Sequence, residues 1–316
     1  MKNTGAVIVT YNSEAEIGPC LDSALPRVSR VVVVDNASSD GTRDEVRKRP
    51  GAGLIANADN RGFAAGVNQG IRALDSPFIL LLNPDARLLT GVEPLVEACG
   101  ESEVGAAAGK LVDVLDRPQA GFSVRRFPTP LSLSFEVLGL NRIWPRNPVN
   151  RRYRCLDLNL EASAEVEQPA GAFLMIRRDA WQAVGGFDEG FHPVWFEDVD
   201  FLKRAHGRGY RVRYVPSAVT RHRGGHSVEK IPRESREVYW YASLLRYGSK
   251  HFRAGGRLAV CAAVVAGCSV RMLCSVFSEW KFRPLAVYGR VIRLACLRLV
   301  SGRNGEAGST PALARQ

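Results

Sequence analysis

V-V-V-V-D-N-A-S-S-D-G-T (Val31–Thr42) runs four consecutive valines into a carboxylate, an amide and a string of small polar residues. A strand that is apolar at successive positions is covered on both faces, the habit of parallel strands flanked by helices. The same arrangement stands upstream, where A-V-I-V-T (Ala6–Thr10) leads into Tyr11 and Asn12. A helix predicted over Ser13–Leu25 joins the two. Downstream, F-I-L-L-L (Phe78–Leu82) follows a helix predicted over Ala64–Leu74 and ends on N-P-D, Asn83–Asp85. The first half therefore reads as β-α-β-α-β, an α/β fold whose functional residues belong beyond the carboxyl ends of the strands.

Beyond about Ala106 the pattern is less regular. A Pro- and Arg-rich stretch, Arg125–Arg154, reads as loops around a short helix, with Phe135, Val137, Leu138, Leu140 and Trp144 as apolar anchors. Order returns with a strand predicted over Gly171–Arg177. A helix over Asp179–Val184 is stopped by Gly185 and Gly186, and an aromatic, acidic segment runs from Phe187 to Asp200. A helix to about Gly207 and a strand over Tyr210–Val215 complete the series.

Composition bounds the function. With 46% hydrophobic and 24% charged residues the chain is packed rather than disordered. Its net charge of +11 is not a nucleic-acid footprint, because ten Lys and Arg face only two acids from His251 onward, whereas the first 250 residues hold 33 bases and 30 acids. We accordingly divide the chain into a catalytic domain, 1–250, and a basic, amphipathic helical tail, 251–316. A tail both basic and rich in Leu, Val and Ala suits an anionic membrane surface. Leu258–Val270 is apolar for 13 residues before Arg271, short of the about 20 that span a bilayer. Pro284–Val300 reads as an interfacial helix, with Arg290, Arg293 and Arg298 opposite Leu285, Tyr288, Ile292, Ala295 and Leu299. The other reading of both segments is a helical pair packed on the protein. Seven cysteines without a C-x-x-C pair indicate neither zinc nor a disulfide framework. No secretory signal precedes the first strand, so the expected compartment is the cytoplasm, at the inner face of the membrane.

Polar clusters fall where such a sheet places ligand contacts. Thr10, Tyr11 and Asn12 follow the first strand. Asp35, ending the second, is set to accept hydrogen bonds from a base or ribose, whereas Ser39-Asp40-Gly41-Thr42 is turn chemistry. Asn60-Arg61-Gly62 precede a helix start, where amides and a guanidinium meet a diphosphate; Gly66 and Gly70 there equally serve close helix packing. A dinucleotide site would carry G-x-G-x-x-G after the first strand, where T-Y-N-S (Thr10–Ser13) stands instead. That disfavours hydride transfer. The missing Gly-rich basic loop likewise disfavours a nucleotidyltransferase. Asn83-Pro84-Asp85 is either a strand-ending turn or a carboxylate aimed at a cation. In E-D-V-D (Glu197–Asp200) the acids either cap a helix or include a general base beside Trp195 and Phe196. His222, read as lying on a Gly-rich loop after a strand, is free to reach a metal.

Together and in this order, these blocks resemble the family 2 glycosyltransferases of the GT-A fold, and among them the rhamnosyltransferase-like members. The carrying blocks are Val7–Ser13, Val32–Thr42, Asn60–Gly70, L-L-N-P-D (Leu81–Asp85), G-A-F-L-M-I-R-R (Gly171–Arg178), G-G-F-D-E-G-F (Gly185–Phe191) and F-E-D-V-D-F (Phe196–Phe201). The resemblance implies a Rossmann-like, predominantly parallel sheet with flanking helices and an inverting transfer from a nucleoside-diphosphate sugar to a glycan or lipid-linked hydroxyl. It implies Thr10, Tyr11, Asn12, Asp35, Asn60, Arg61, Gly62 and Asn83 on the donor and Asp85 with His222 on Mg²⁺ or Mn²⁺. Asp198 would be the base, and Trp195 and Glu197 would lie on the acceptor side. Asn83 stands where the strict motif has its first Asp. The subgroup makes dTDP-rhamnose the first donor and UDP-hexoses the next, in cell-envelope polysaccharide synthesis.

Overall fold

The computed structural model describes residues 3–224, 229–279 and 283–300. They fall into two compact units. One comprises Met1–Phe127, Arg154–Glu189 and Glu197–Lys230; the other comprises Pro128–Tyr153, Gly190–Phe196 and Ile231–Gln316. The helical unit is thus assembled from three stretches, two of which the sequence reading assigned to the catalytic body. Lys281, Arg303, Glu306 and Arg315 of the basic tail lie outside the described residues.

The first unit is built on a sheet of β1 (Thr4–Thr10), β2 (Arg30–Asp35), β3 (Ala52–Ala56), β4 (Phe78–Leu82), β5 (Ala86–Leu88), β6 (Val104–Val112), β8 (Ala164–Glu165), β10 (Phe173–Arg177) and β11 (Arg211–His222). Two further strands, β7 (Val124–Arg125) and β9 (Gln168–Pro169), pair with each other. The order is β3-β2-β1-β4-β10-β6-β11-β5, with β8 beside β11. Pairing is parallel across β3-β2-β1-β4 and at β6-β11, while β10 runs antiparallel to both neighbours. The valine-rich strands behave as their composition demands: every residue of β1 and all of β2 but Arg30 are buried. On one face Ile8, Val33, Leu80 and Met175 share a core with Ile17 and Leu21 of the helix Glu14–Ala24 and Leu95 of the helix Glu93–Gly100. On the other, the helix Phe63–Arg72 lies close because Gly66 and Gly70 carry no side chain; a Cβ would stand 2.8 Å from Val9 Cγ1 and 2.5 Å from Val7 Cγ1. The close-packing reading of these glycines is therefore correct.

Three departures from the sequence reading matter for the site. β6, V-G-A-A-A-G-K-L-V, falls where regular pattern seemed to end, because Ala and Gly are poor strand formers. They are needed there by their neighbours: a Cβ on Gly109 would overlap the Phe173 ring and the Ala218 carbonyl, and one on Gly105 would come 2.8 Å from Tyr210 Cβ. β11 runs on past Val215 through a register shift between Val215 and Val219. Pro216 and Ser217 disguise this by breaking the apolar pattern. Between Arg125 and Arg154 stand three helices, Pro130–Val137, Leu140–Ile143 and Pro148–Tyr153. The first opens with a capping box between Thr129 and Ser132. Of the expected anchors there, Val137 is buried, but Leu138, Leu140 and Trp144 are exposed.

The remaining helices of the second unit are Arg233–His251, Ala254–Glu279 and Arg283–Val300. The uninterrupted apolar run is Leu258–Val270, bounded by Arg257 and Arg271; taken with those two arginines, Ala254–Cys274 is by length and composition long and apolar enough to cross a bilayer, with 33% of its most apolar window buried in the fold. Val260, Cys261, Val264 and Cys268 pack inward. In Arg283–Val300 the buried line is Val287, Val291 and Ala295, spaced four apart. Of the predicted apolar stripe only Ala295 is buried, and Leu299 is exposed.

Gly109→Ala should destabilise the protein by roughly 1–3 kcal/mol through overpacking. Gly100→Ala, at a helix end with nothing within 4 Å of its added Cβ, should be neutral or slightly stabilising. Urea denaturation of both variants checks this, and equal midpoints would refute it.

Candidate active site

The carboxyl ends of β1, β2, β4 and β11 and the amino end of β10 lie along one edge of the sheet, as their pairing directions require. At the β1–β2 end Thr10 and Asp35 are register partners. Asp35 is fully buried; its Oδ2 accepts from the Ser38 N–H at 3.1 Å and from Arg43 Nε at 2.6 Å. Its Oδ1 and the buried Thr10 hydroxyl have no hydrogen-bond partner among the described residues. Burying a polar atom unpaired costs about 1–3 kcal/mol, a cost that a partner reaching this pair would relieve. Asn12 is committed locally: its Oδ1 accepts from the Ser39 N–H at 2.8 Å, and its own N–H donates to Ser38 Oγ at 2.8 Å. Tyr11 is half-buried beside it. Asp40 accepts from the Thr42 N–H at 3.1 Å, from the Thr42 hydroxyl and from the Glu14 N–H at 3.2 Å, the turn chemistry expected of that block.

The Asn60-Arg61-Gly62 segment is tied to the same place. Asn36 Nδ2, just after Asp35, donates to the Gly62 carbonyl at 3.0 Å, and Asn60 Oδ1 accepts from the Gly62 N–H at 2.9 Å. Gly62 has a φ of +84° at the helix start, a conformation L side chains resist. Arg61 is exposed. Asn68, farther along that helix, bolts it to the G-G-F-D-E-G-F block: it donates to the Phe187 carbonyl and to Glu189, and accepts from the Phe187 N–H and Trp181 Nε1.

At the end of β4, Asp85 and His222 form a buried pair. His222 is the last residue of β11, not part of the loop beyond it; its Nε2 lies 3.4 Å from Asp85 Oδ1 and 3.3 Å from Asn83 Nδ2. The ring stacks on Phe122 with centroids 5.5 Å apart, and Gln119 Nε2 donates to the His222 carbonyl at 2.6 Å. Burial would raise the Asp85 carboxyl, but the hydrogen bond and charge of His222, with the Gly224 N–H at 3.0 Å, outweigh it and hold the group below its ordinary value. The donor set fits a divalent cation. Adjacent ligands at about 2.1 Å from an octahedral ion stand roughly 3 Å apart, so the pair needs little movement to share one. No cluster of three or more His, Cys, Asp or Glu ligands occurs among the described residues. Two protein ligands completed by water and phosphate oxygens is the habit of Mg²⁺.

The three acids of the helix Glu197–His206 differ in their surroundings. Asp200 is fully buried and ion-paired with Arg204 Nε at 2.7 Å, while Arg204 also donates to the Val184 and Gly186 carbonyls. It is a structural residue. Asp198 is half-buried; its Oδ2 accepts from the Gly171 N–H at 3.0 Å and its Oδ1 from the Val199 N–H at 2.7 Å. Burial lifts its carboxyl above the ordinary value despite those two donors. Glu197 is buried with Oε2 unpartnered, and burial first, then the Asp198 charge, push its carboxyl well up. Gly171 adjoins Ala172, whose carbonyl accepts from the Asn83 N–H at 3.0 Å. Asp198 thereby reaches the strand end that carries Asn83 and Asp85. Trp195 belongs to the second unit, where it lines a cavity of about 360 Å³ with Trp240, Tyr241, Tyr288, Arg236 and Arg271.

The model of the family described as glycosyl transferase family 2 matches residues 6–181. The chain belongs to that family. Residues 157–295 of this transferase also match the model of glycosyl transferase family group 2. It is 29% identical over 265 residues to the N-acetylglucosaminyl-diphospho-decaprenol L-rhamnosyltransferase of Mycobacterium tuberculosis, covering 78% of this chain and 84% of the relative. It is 27% identical to rhamnosyltransferase WbbL of Escherichia coli, covering 67% of this chain and 80% of that one. Among solved structures, it is similar to the mannosyltransferase PcManGT of Pyrobaculum calidifontis, solved with GDP-Man and Mn²⁺, at a TM-score of 0.52, 17% identity, and coverage of 94% and 87% of the two chains. That likeness establishes the GT-A fold expected from the sequence.

Sequence reasoning missed several residues that shape the transferase's site. Arg43, which ion-pairs with Asp35, directly follows Val31–Thr42, and a base in the first turn of the following helix was a usable signal. Gln119 and Phe122, which fix His222, gave none, because they stand about a hundred positions away in the stretch read as irregular.

Because the folded protein holds a proton on Glu197 to higher pH than the unfolded chain, stability falls as pH rises from the ordinary carboxylate range toward the raised value. Glu197→Gln cannot ionise. It should therefore match the wild type near pH 4 and become progressively more stable than it toward pH 8, as read from urea midpoints. A difference independent of pH would contradict the burial argument.

Proposed function

We propose that this glycosyltransferase moves rhamnose from dTDP-rhamnose to a hydroxyl of a glycan or lipid-linked acceptor in cell-envelope polysaccharide synthesis, with inversion at the anomeric carbon. The observation that carries the reading is the Asp198 carboxylate, raised by burial and tethered through Gly171 to the strand end bearing Asp85 and His222. Such a group accepts a proton more readily than an ordinary carboxylate. The rhamnose assignment draws on the activities named for the relatives from Mycobacterium tuberculosis and Escherichia coli and for the O-antigen chain rhamnosyltransferase RfbN of Salmonella typhimurium.

In this reading Thr10, Tyr11 and Asp35 hold the nucleoside, the unpartnered Asp35 oxygen and Thr10 hydroxyl receiving its polar edge, with Asn12 bracing their loop. Asn60, Arg61 and Gly62 face the diphosphate, and Asn83 steadies the strand end. Asp85 and His222 would hold Mg²⁺ or Mn²⁺, which would supply positive charge to the departing diphosphate. Asp198 takes the acceptor proton as its oxygen attacks the anomeric carbon from the face opposite the diphosphate. Glu197 and Trp195 are assigned to the acceptor side, Trp195 because it stands three residues before the base. The enzyme works at the cytoplasmic face of the membrane, held there peripherally by the tail from residue 251; the exposed Arg290 and Arg293 support that assignment.

Asp198→Asn keeps an acceptor for Gly171 but cannot take a proton. Turnover with dTDP-rhamnose and a lipid-linked acceptor should fall about 10²- to 10⁴-fold, with donor affinity and thermal midpoint little changed. Wild-type turnover in that variant would remove Asp198 from the role. Chelation with EDTA should abolish transfer and added Mg²⁺ or Mn²⁺ restore it, while Asp85→Ala should weaken donor binding measured by calorimetry in the presence of the ion. Full activity in chelator would shift the stabilising charge to Arg61.

A further inference from the structure

The segment L-G-L-N-R-I-W-P-R (Leu138–Arg146) in the helical unit shows its apolar side chains to solvent. Ile143 is 81% exposed and Trp144 60%, with Leu138 and Leu140 at 40% and 37%. Large apolar groups clustered in this way on a folded surface mark an interaction site.

Hydrogen bonds brace the display from beneath. Asn147, completely buried, donates to the Trp144 carbonyl at 2.7 Å and to Asn141 Oδ1 at 3.0 Å, while its own Oδ1 accepts from the Asn150 N–H at 2.8 Å. Asn150 Nδ2 donates to the Pro145 carbonyl at 2.7 Å, and Asn141 Nδ2 to Glu136 at 2.7 Å. A network of buried amides thus fixes the turn whose apolar residues point away from the core.

Charge and neighbourhood name the partner. From Val137 to Tyr153 there are four arginines, Arg142, Arg146, Arg151 and Arg152, all exposed, and no acid. The segment leaves the helix Pro130–Val137 against the apolar helix Ala254–Glu279: Arg271 Nη1 donates to the Val137 carbonyl at 2.6 Å, and Gly267 lies so close to that carbonyl that a Cβ would overlap it. On either side of Arg271, Val270 and Leu273 are 58% and 61% exposed. Trp with aliphatic residues, ringed by arginines and set beside an apolar helix, has the chemistry of the boundary between lipid headgroups and acyl chains.

We infer that Leu138–Arg146 is a membrane-docking wedge: Ile143 and Trp144 enter the headgroup region of a bilayer while Arg142 and Arg146 meet its anionic lipids. The inference rests on the reading that this transferase works at a membrane surface. It adds a contact made by residues outside the tail, braced against the tail's first helix, that fixes how the helical unit meets the bilayer.

The test is flotation of the full-length protein with phosphatidylglycerol–phosphatidylcholine vesicles. Ile143→Asp/Trp144→Asp alters only exposed side chains, so its thermal midpoint should match the wild type, while its vesicle-bound fraction falls about tenfold. As a second measurement, lipids brominated on the upper acyl chain should quench part of the wild-type tryptophan fluorescence, and Trp144→Phe should lose most of that quenching. Arg290→Glu/Arg293→Glu tests the tail separately. Full flotation of the Ile143/Trp144 variant with loss in the Arg290/Arg293 variant overturns the wedge and leaves the tail reading standing. No flotation of the wild type overturns both. A wild type that dimerises through Trp144, seen as a monomer in the Ile143/Trp144 variant by sedimentation with unquenched tryptophan on vesicles, also overturns it.

Discussion

The site depends on the antiparallel pairing of β10 with β4, in which Phe173 faces Leu82. That register sets Ala172 against Asn83, and the residue before it, Gly171, presents the N–H that receives Asp198. A helix-borne carboxylate far along the chain is tied toward the strand end of Asp85 by two hydrogen bonds, one from the Gly171 N–H to the carboxylate and one from the Asn83 N–H to the Ala172 carbonyl. Shifting the register by one residue would reverse the faces of β10 and bury the wrong side chains, so the sheet core and the proposed catalytic edge are specified together.

Much of this was legible because burial on both faces writes itself into sequence as uninterrupted Val, Ile and Leu. β1, β2, β4 and β10 announce themselves that way, and the polar residues just beyond them are those that gather at the sheet edge. β6 does not, since its neighbours Phe173 and Tyr210 fill the space that its own side chains would need. A strand whose volume is supplied by others leaves only Ala and Gly as its trace. β11 was half legible, its register shift masking the last seven residues and with them the strand position of His222. The acids of Glu197–Asp200 were visible as a cluster but not separable, because what separates them is Arg204, Gly171 and solvent, none readable from spacing.

The helical unit reverses an intuition about apolar residues. Leu138, Leu140 and Trp144 look like anchors in sequence, and the fold directs them outward while amides from Asn147 and Asn150 fill the interior beneath them. The tail helices show the complement: Val287, Val291 and Ala295 form a buried line on a helix whose sequence left both a membrane-surface and a packed reading open. Apolar content predicts that a residue seeks cover, but not whether the cover is protein or lipid.

The placement of β10 has a consequence for synthesis. It is the central strand between β4 and β6, yet it leaves the ribosome about sixty residues after β6. Until it is made, the F-I-L-L-L edge of β4 and the small-residue edge of β6 have no partner, and the nascent chain carries two unsatisfied ladders of backbone N–H and C=O groups. Closing them requires a long-range insertion, slow for entropic reasons and open to mispairing with other chains. While residues 113–177 are being made, the edge of β4 that β10 will cover therefore stays open, and the other edge of β6 stays open until β11 follows.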